Sequence, residues 1–217
     1  VRGEGVWLFD ADGRRYLDAY NNVPVVGHAN AAVNAALIAQ SQLLNTHTRY
    51  LHDNVVQLAE RLRALFPVEL DTSVFTCTGS EANDLALRVA QEFTGRRGLI
   101  IPRHAYHGVT MALAQCSPSL CPPADHVEVI DPPAFQGVDA QAAAAAFAQR
   151  VDEAAAALEA RGTPVSALLL DTVFASDGVH MDAAPILQAA AQAVRRRGGL
   201  FIADEVQGGF CRTGRWW

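Results

Sequence analysis

A turn of small residues at positions 78–83, Thr-Gly-Ser-Glu-Ala-Asn, is the first segment whose residue types suggest chemistry. It follows the apolar run Val74–Cys77 and leads directly into a helical pattern. Such a turn presents free backbone N–H groups and the Ser80 hydroxyl at the positive end of a helix dipole, which suits a phosphate dianion. The turn is therefore a candidate phosphate site, the alternative being that Ser80 is an ordinary N-cap.

An aromatic ring and an imidazole follow the next apolar run, which ends at Ile101. Tyr106 and His107 are expected to face one crevice, and Gly108 allows a close approach of the backbone. This pattern predicts a ring that stacks on a planar cofactor. The alternative is that Tyr106 is a buried loop anchor with a satisfied hydroxyl.

Two carboxylates stand directly after apolar runs, namely Asp171 after Leu170 and Asp204 after Ala203. A carboxylate in that position is costly unless it is paired. No histidine or cysteine cluster stands near Asp204 in the sequence, so no metal is expected, and helix caps or arginines are the ordinary partners. A protonated pyridine nitrogen pairs a carboxylate equally well. This is the chemistry of pyridoxal phosphate, whose ring acts as an electron sink.

The elements that must position these residues alternate along the chain. Short apolar runs predict buried strands, and amphipathic segments between them predict helices. This alternation implies an α/β fold with a largely parallel sheet, in which ligands bind beyond the carboxyl ends of the strands. The predicted strands are Val74–Cys77, Leu99–Ile101, Val127–Ile130, Val165–Leu170 and Leu200–Ala203. The predicted helices are Glu81–Phe93 (with Ala82, Leu85, Ala86, Val89 and Phe93 on one face), Ala142–Arg161 and a helix from Ala184 to the arginines before Gly198.

The N-terminal part has a different pattern. Val6–Asp10 and Tyr16–Asp18 predict two short strands around an Asp-Gly turn. A helix is expected over Ala31–Leu44, and a second helix is expected to begin at Asp53 as its N-cap and to end at Pro67. The domain division predicted from this is an N-terminal segment over residues 1–45 and an incomplete large domain over residues 46–217.

Composition excludes several classes of function. The net charge of -6 argues against nucleic acid or a membrane surface as the partner. No apolar run approaches the ~20 residues that span a bilayer, and no secretory leader opens the sequence, so we expect a cytoplasmic protein with a small-molecule ligand. Reduced thiols are expected because the cysteine spacings match no zinc pattern. The cysteines are Cys77, Cys116, Cys121 and Cys211.

The ordered motifs resemble the class III, fold type I, pyridoxal-phosphate-dependent aminotransferases, over essentially the whole chain. The resemblance implies that Gly79 and Ser80 bind the cofactor phosphate. It also implies that Tyr106 stacks on the ring, that His107 lies in the cofactor site, and that Asp204 pairs the pyridine nitrogen. Val206 is expected to pack under the ring and Gln207 to approach its phenolic oxygen. The motifs that carry the resemblance are Gly27-His28, Thr78–Asn83, Tyr106–Gly108, Ile202–Gln207, Gly209-Phe210 and Arg212–Gly214.

Two departures from the family pattern are visible. A glutamate usually stands where this chain has Asp171, so the resemblance assigns Asp171 no role. The chain contains no lysine, because its basic residues are all arginine, whereas the family carries a Schiff-base lysine some tens of residues after the aspartate. The resemblance therefore implies an N-terminal fragment about half as long as a complete member, and a homodimer when full length.

One segment resembles a subgroup of the class. Residues 44–54 are similar to the phospho-lyases that act on phosphoethanolamine or phosphorylated hydroxylysine, and imply elimination of phosphate from an amine. His28, Arg49 and Tyr50 are the candidates for contacts with a substrate phosphate, although Arg49 is equally suited to an ion pair at a dimer interface. Two alternatives stay open: a true transaminase that uses a keto acid, and a chain that has no catalytic activity.

Overall fold

The computed structural model describes residues 1–20, 24–47 and 49–217. The chain divides into two compact units, which we call the N-terminal unit and the sheet unit. The N-terminal unit comprises Val1–Val74 with Phe210–Arg212 and Trp216, and the sheet unit comprises Phe75–Gly209 with Thr213–Arg215 and Trp217. The division predicted between residues 45 and 46 falls within the N-terminal unit, and as a domain boundary it stays a prediction.

The N-terminal unit begins with a small antiparallel sheet of three strands. β1 (Arg2–Glu4), β2 (Trp7–Phe9) and β3 (Arg15–Leu17) lie in the order β1-β2-β3. The predicted hairpin is confirmed as β2 and β3. Its turn is organised by Asp10, whose Oδ1 accepts the backbone N–H groups of Asp12 and Arg14 at 3.0 and 2.9 Å.

Two helices follow in the same unit, α1 (Ala31–Ser41) and α2 (Asp53–Arg63). The prediction that Asp53 is the N-cap of α2 was wrong. His52 holds that position, because its Nδ1 accepts the Asn54 N–H at 3.2 Å. The helix also ends at Arg63, before Pro67, because the next residues form tight turns in which the N–H groups of Leu65 and Phe66 donate to the carbonyls three residues earlier. Neither helix contains a buried residue, so this unit has no core in its described helices.

The sheet unit contains four parallel strands. β4 (Gly98–Pro102), β5 (Val127–Ile130), β6 (Val165–Asp171) and β7 (Leu200–Asp204) lie in the order β5-β4-β6-β7. They confirm four of the five predicted strands and the parallel α/β fold. The fifth, Val74–Cys77, is wrong: it forms no strand, and Val74 is 66% exposed. A strand exists only through hydrogen bonds to a neighbour, and no strand in the described ranges pairs with it.

Helices cover both faces of this sheet, and α3 (Gly79–Thr94), α5 (Ala140–Ala160) and α6 (Ala184–Arg196) confirm the predicted ones. A single-turn helix, α4 (Met111–Ala114), lies in the loop after β4. Alternate residues of each strand face opposite layers. Ile100 of β4 packs in the same cluster as α5 and α6, whereas Leu99 and Ile101 pack with α3. The sheet is thereby held between two layers of helices.

The rotation of α3 differs from the predicted one. Its buried residues are Asn83, Leu87 and Ala90, whereas Phe93 of the predicted face is 77% exposed. The physical reason is the polar anchor at Asn83, which makes buried hydrogen bonds and so turns its own stripe toward the sheet. Hydrophobicity alone did not distinguish the two apolar stripes. Within the described ranges, no helix is long and apolar enough to cross a membrane.

Candidate functional site

Asp204 lies at the carboxyl end of β7 and is buried. Its Oδ2 accepts hydrogen bonds from His107 Nδ1 and from Asn83 Nδ2, each at 2.8 Å. Its Oδ1 accepts the backbone N–H of Val206 at 3.0 Å. The two carboxylate oxygens therefore have different surroundings, since Oδ2 meets two side chains and Oδ1 meets one backbone group.

These hydrogen bonds keep Asp204 ionised. Burial by itself raises the pKa of the Asp204 carboxyl, but the bond and charge of His107, the Val206 N–H and Asn83 together hold that pKa below its usual range. Because an ionised carboxylate only accepts, the proton between the two side chains belongs to His107 Nδ1. The site thus contains a buried carboxylate that is ionised at neutral pH.

The main chain of His107 is held on both sides. Its N–H donates to Ser117 Oγ at 3.2 Å, and its carbonyl accepts from Asn83 Nδ2 at 3.0 Å. Ser117 in turn donates to the Leu113 carbonyl at 2.9 Å. Sequence reasoning assigned Asn83 and Ser117 no role. A polar residue at helical spacing from buried apolar ones, as Asn83 is from Leu87, is the signal that was available.

The predicted phosphate-binding turn lies at the start of α3, and its binding of a phosphate stays a prediction. Thr78 is the N-cap, because its Oγ1 accepts the Glu81 N–H at 3.0 Å, so the alternative that Ser80 is the N-cap is wrong. Ser80 Oγ instead accepts the N–H of Val109 at 3.2 Å. The first N–H groups of a helix have no acceptor within the helix, and they attract an anion.

Two close approaches bring the predicted motifs together. A Cβ added at Gly79 would stand 2.6 Å from Val206 Cγ2, and one added at Gly108 would stand 2.5 Å from Ser80 Oγ. Gly108 also has a φ of +133°, which favours glycine. The loop after β4, the start of α3 and the loop after β7 therefore meet at one place.

The remaining predicted cofactor residues lie in these same loops. Tyr106 is 51% exposed, so the alternative of a buried loop anchor is wrong. Val206 is exposed, and Gln207 is half-buried. The individual roles predicted for Tyr106, Val206 and Gln207 stay predictions.

Asp171 is occupied by its own loop. Its Oδ1 and Oδ2 accept the N–H groups of Val173 and Ala175, each at 2.9 Å. Burial raises the pKa of the Asp171 carboxyl, and the charge of Asp204 raises it further, although these two N–H groups oppose the shift. We conclude that Asp171 organises the loop after β6.

The candidate substrate residues belong to the N-terminal unit. His28 Nε2 lies 2.7 Å from Asp18 Oδ2, and His28 pairs with Gly5 through the backbone. Arg49 and Tyr50 are exposed, with the ring of Tyr50 tilted against that of His47 at 5.6 Å. Thr48, within the segment that resembles the phospho-lyases, lies outside the described residues. The substrate roles of His28, Arg49 and Tyr50 stay predictions.

Comparison with known proteins shows the family of this chain. A family model described as aminotransferase class-III matches residues 1–217. The chain belongs to this family. A relative from Drosophila melanogaster, named alanine–glyoxylate aminotransferase 2-like, is 39% identical over 228 residues, which cover 99% of this chain and 46% of the relative.

Solved structures match the whole chain as well. A phospholyase from Arthrobacter, in complex with phosphoethanolamine, has a TM-score of 0.91 and 42% identity, covering 100% of this chain and 53% of its own. A taurine:2-oxoglutarate aminotransferase from Bifidobacterium kashiwanohense, in complex with PLP and glutamate, has a TM-score of 0.88 and 25% identity, with 100% and 52% covered. The chain thus spans about half the length of the proteins it matches.

The residues of the sheet unit fit the cofactor of the class III aminotransferases, which is pyridoxal phosphate. A buried, ionised carboxylate suits a protonated pyridine nitrogen, and the N-terminus of α3 suits a phosphate. The glycines at 79 and 108 leave the loops close together. No group of three or more potential metal ligands occurs in the described ranges of the chain.

Proposed function

We propose that the full-length protein is a pyridoxal-phosphate enzyme that eliminates phosphate from a phosphorylated primary amine of the phosphoethanolamine type. The observation that carries the cofactor part is the buried Asp204 carboxylate at the end of β7, ionised by its hydrogen bonds to His107 and Asn83. The similarity to the Arthrobacter phospholyase, 42% identical over the whole chain, supports the elimination part.

Asp204 would hold the proton on the pyridine nitrogen. When bound, the cofactor supplies an electron sink for the bond that breaks next to the substrate nitrogen, provided that its ring nitrogen stays protonated. Asp204 is suited to that task because its pKa is lowered and its carboxylate is fixed on both oxygens. His107 would keep the carboxylate oriented through its hydrogen bond to Oδ2.

The start of α3 would hold the cofactor phosphate. Gly79 and Ser80 provide N–H groups at the positive end of the helix dipole, and the Ser80 hydroxyl adds one more donor. Tyr106 and Val206, both exposed in loops that meet at this place, are the proposed contacts on the faces of the ring, and Gln207 is the proposed contact of the phenolic oxygen.

The lysine that must move the proton in such an enzyme is not among these 217 residues. We assign it to a part of the full-length protein outside this chain. A chain without catalytic activity, which binds the cofactor or serves as an interaction partner, is the alternative that the missing lysine supports. A continuous reading frame with a lysine-bearing strand after Trp217 would remove this alternative.

Amino transfer is the second candidate, and one observation favours it. The Drosophila relative, 39% identical, is named an aminotransferase. Elimination and transfer would use the same cofactor contacts, so the sheet unit does not separate them. The difference must come from residues that meet the substrate, for which His28, Arg49 and Tyr50 are proposed.

The deciding experiment uses the full-length protein with pyridoxal phosphate. Phosphate release from phosphoethanolamine is measured beside amino transfer from the same amine to pyruvate. Release of phosphate without transfer is the expected result. Amino transfer without phosphate release would make the enzyme an aminotransferase. If the protein binds the cofactor but catalyses neither reaction, phosphoethanolamine-type amines are rejected as its substrates. Asp204→Asn is the matched inactive variant, since it keeps the shape and removes the charge.

A homodimer is the proposed assembly. Val89 and Phe93 of α3 are exposed apolar side chains on one helix face, and the helices of the N-terminal unit bury none of their residues. Apolar surface of this kind marks contacts with further protein, either a second copy or the rest of the full-length chain. Sedimentation of the full-length protein, with Phe93→Glu against Glu92→Gln as the control, tests whether this face forms the dimer.

We propose that the protein lies in the cytoplasm and binds neither nucleic acid nor membranes. Fractionation of cells that express the full-length protein tests the location. Recovery with an organelle or with membranes would contradict it.

A further inference from the structure

Asn83 makes two buried hydrogen bonds from one atom. Its Nδ2 lies 2.8 Å from Asp204 Oδ2 and 3.0 Å from the carbonyl oxygen of His107. Both neighbours only accept hydrogen bonds, so the atom between them must be the amide nitrogen, and its two hydrogens match the two acceptors. Asn83 thus joins α3 to the loop after β4 and to the end of β7.

The two oxygens of Asp204 can then be told apart by their hydrogen bonds. A carboxylate has about four lone-pair sites, two on each oxygen. Oδ2 has two donors, Asn83 and His107, and is saturated. Oδ1 has one donor among the described residues, the Val206 N–H, and keeps one acceptor site.

We infer that Asn83 is a positioning residue of the cofactor site: with His107 it fixes Asp204 Oδ2 and leaves Oδ1 as the atom that meets the ring nitrogen. This inference rests on the proposed function. Asn83 itself touches neither cofactor nor substrate in this arrangement. It acts through Asp204, by orienting the carboxylate and keeping it ionised.

A second feature ties Asn83 to the same carboxylate. The carbonyl of His107 accepts from Asn83 while the ring of His107 donates to Asp204. The three residues therefore form a closed set, in which Asn83 holds both the carboxylate and its other donor. His107 Nε2 is buried and has no hydrogen-bond partner among the described residues, so the ring is held to the site through Nδ1.

The test replaces the amide by a side chain of similar shape without donors, Asn83→Leu, in the full-length protein. Gln91→Leu is the matched control, because it makes the same kind of change two turns further along α3, away from the site. The first measurement is the equilibrium Kd for pyridoxal phosphate, read from the absorbance of the bound cofactor. The second is the pH at which acid releases the cofactor.

Asn83→Leu is expected to raise the Kd about 10- to 100-fold, the range for a lost hydrogen bond to a charged group. It is also expected to move acid release to higher pH, because the loss of a donor raises the pKa of Asp204. Circular dichroism at each pH separates this shift from acid unfolding, because a purely structural role of Asn83 would move release and unfolding together. Gln91→Leu is expected to match the wild type in both measurements.

Other outcomes separate the two proposals. If the wild type binds pyridoxal phosphate and Asn83→Leu binds it equally well with the same acid midpoint, the role of Asn83 is overturned and the proposed function stands. If the wild type binds no pyridoxal phosphate, the proposed function fails and this inference fails with it. Asn83→Ser, a smaller change, carries the same test if Asn83→Leu lowers the thermal midpoint.

Discussion

His107 Nδ1 lies 2.8 Å from Asp204 Oδ2, in a pair whose side chains are 1% and 7% exposed. Removing the His107 donor leaves the buried Asp204 carboxylate with less compensation for its charge. The pair thus fixes the Asp204 side chain at the end of β7, and we expect single substitutions in it to have large effects.

Asp204→Asn removes the charge and keeps the shape. In the full-length protein we expect kcat to fall about 100-fold or more, since one preorganised electrostatic contact contributes that much. The affinity for pyridoxal phosphate is expected to fall as well. Asp131→Asn is the control, because Asp131 pairs with Arg103 at the surface, at 2.7 Å. Wild-type kcat in Asp204→Asn would contradict the role given to this carboxylate.

Gly108→Ala tests the contact between the two loops. The added Cβ would stand 2.5 Å from Ser80 Oγ, so Ser80 must move away from the proposed phosphate position. We expect the Kd for pyridoxal phosphate to rise about tenfold or more, which is 1.4 kcal/mol. Gly137→Ala is the control for backbone strain alone, because Gly137 has a φ of +72° and nothing within 4 Å of its Cβ. Equal effects of both changes would show that the contact with Ser80 is unimportant.

The pH dependence follows from the lowered pKa of Asp204. Its folded value lies below the ordinary 3.8, so the native state binds fewer protons there than the unfolded chain. The stabilisation is therefore complete above about pH 3.8 and is lost as the pH falls through the folded pKa. We expect cofactor release on acidification to begin only below about pH 3.8. In His107→Phe, which loses a donor to Asp204, release is expected to begin at higher pH. Circular dichroism at each pH separates release from unfolding.

Much of the fold could be predicted from the sequence, because burial on both faces gives strands such as β4 and β6 an unbroken apolar run. Two of the failures share one cause, which is that a local sequence pattern does not identify the residues it will pair with. Val74–Cys77 has the composition of a strand, but no strand in the described part of the chain pairs with it. The choice of the buried face of α3 depended on the hydrogen bonds of Asn83, which connect residues 121 positions apart.

The sequence predicted several residues of the site but not the hydrogen bonds between them. The positions after the apolar runs led to His107 and Asp204, because parallel strands end at the same edge of a sheet. Ser80 was found instead from the small-residue turn that opens α3, since the run before it forms no strand. The sequence does not show which atoms meet, so the pairing of His107 with Asp204 came only from the structure. Asp171 illustrates the same limit, since its hydrogen bonds lie within its own loop.

Phe147 tests the layer of helices that supports the strands. It is fully buried, and its ring meets that of Phe174 edge-on, with centroids 6.1 Å apart. We expect Phe147→Ala to lower the free energy of unfolding by about 3–5 kcal/mol, the usual result for a large core aromatic. Phe93→Ala is the control, since that ring is 77% exposed. Similar losses in a denaturant titration of the two full-length variants would contradict the packing described for α5.

Arg49 separates a substrate role from an assembly role. Its side chain is exposed, and a guanidinium there suits either a substrate phosphate or a carboxylate of a second copy. If it binds the substrate, Arg49→Ala is expected to raise the KM for phosphoethanolamine about tenfold or more, with the Kd for pyridoxal phosphate unchanged.

The control is Arg14→Ala, another exposed arginine of the N-terminal unit, which is expected to leave KM unchanged. Arg49→Lys keeps the charge and loses the two-pronged geometry, so it is expected to recover only part of the affinity. If Arg49 instead forms an ion pair between copies, Arg49→Ala shifts sedimentation toward the monomer at a protein concentration where Arg14→Ala stays dimeric. A wild-type KM together with that shift would remove Arg49 from the substrate site and leave the dimer as its function.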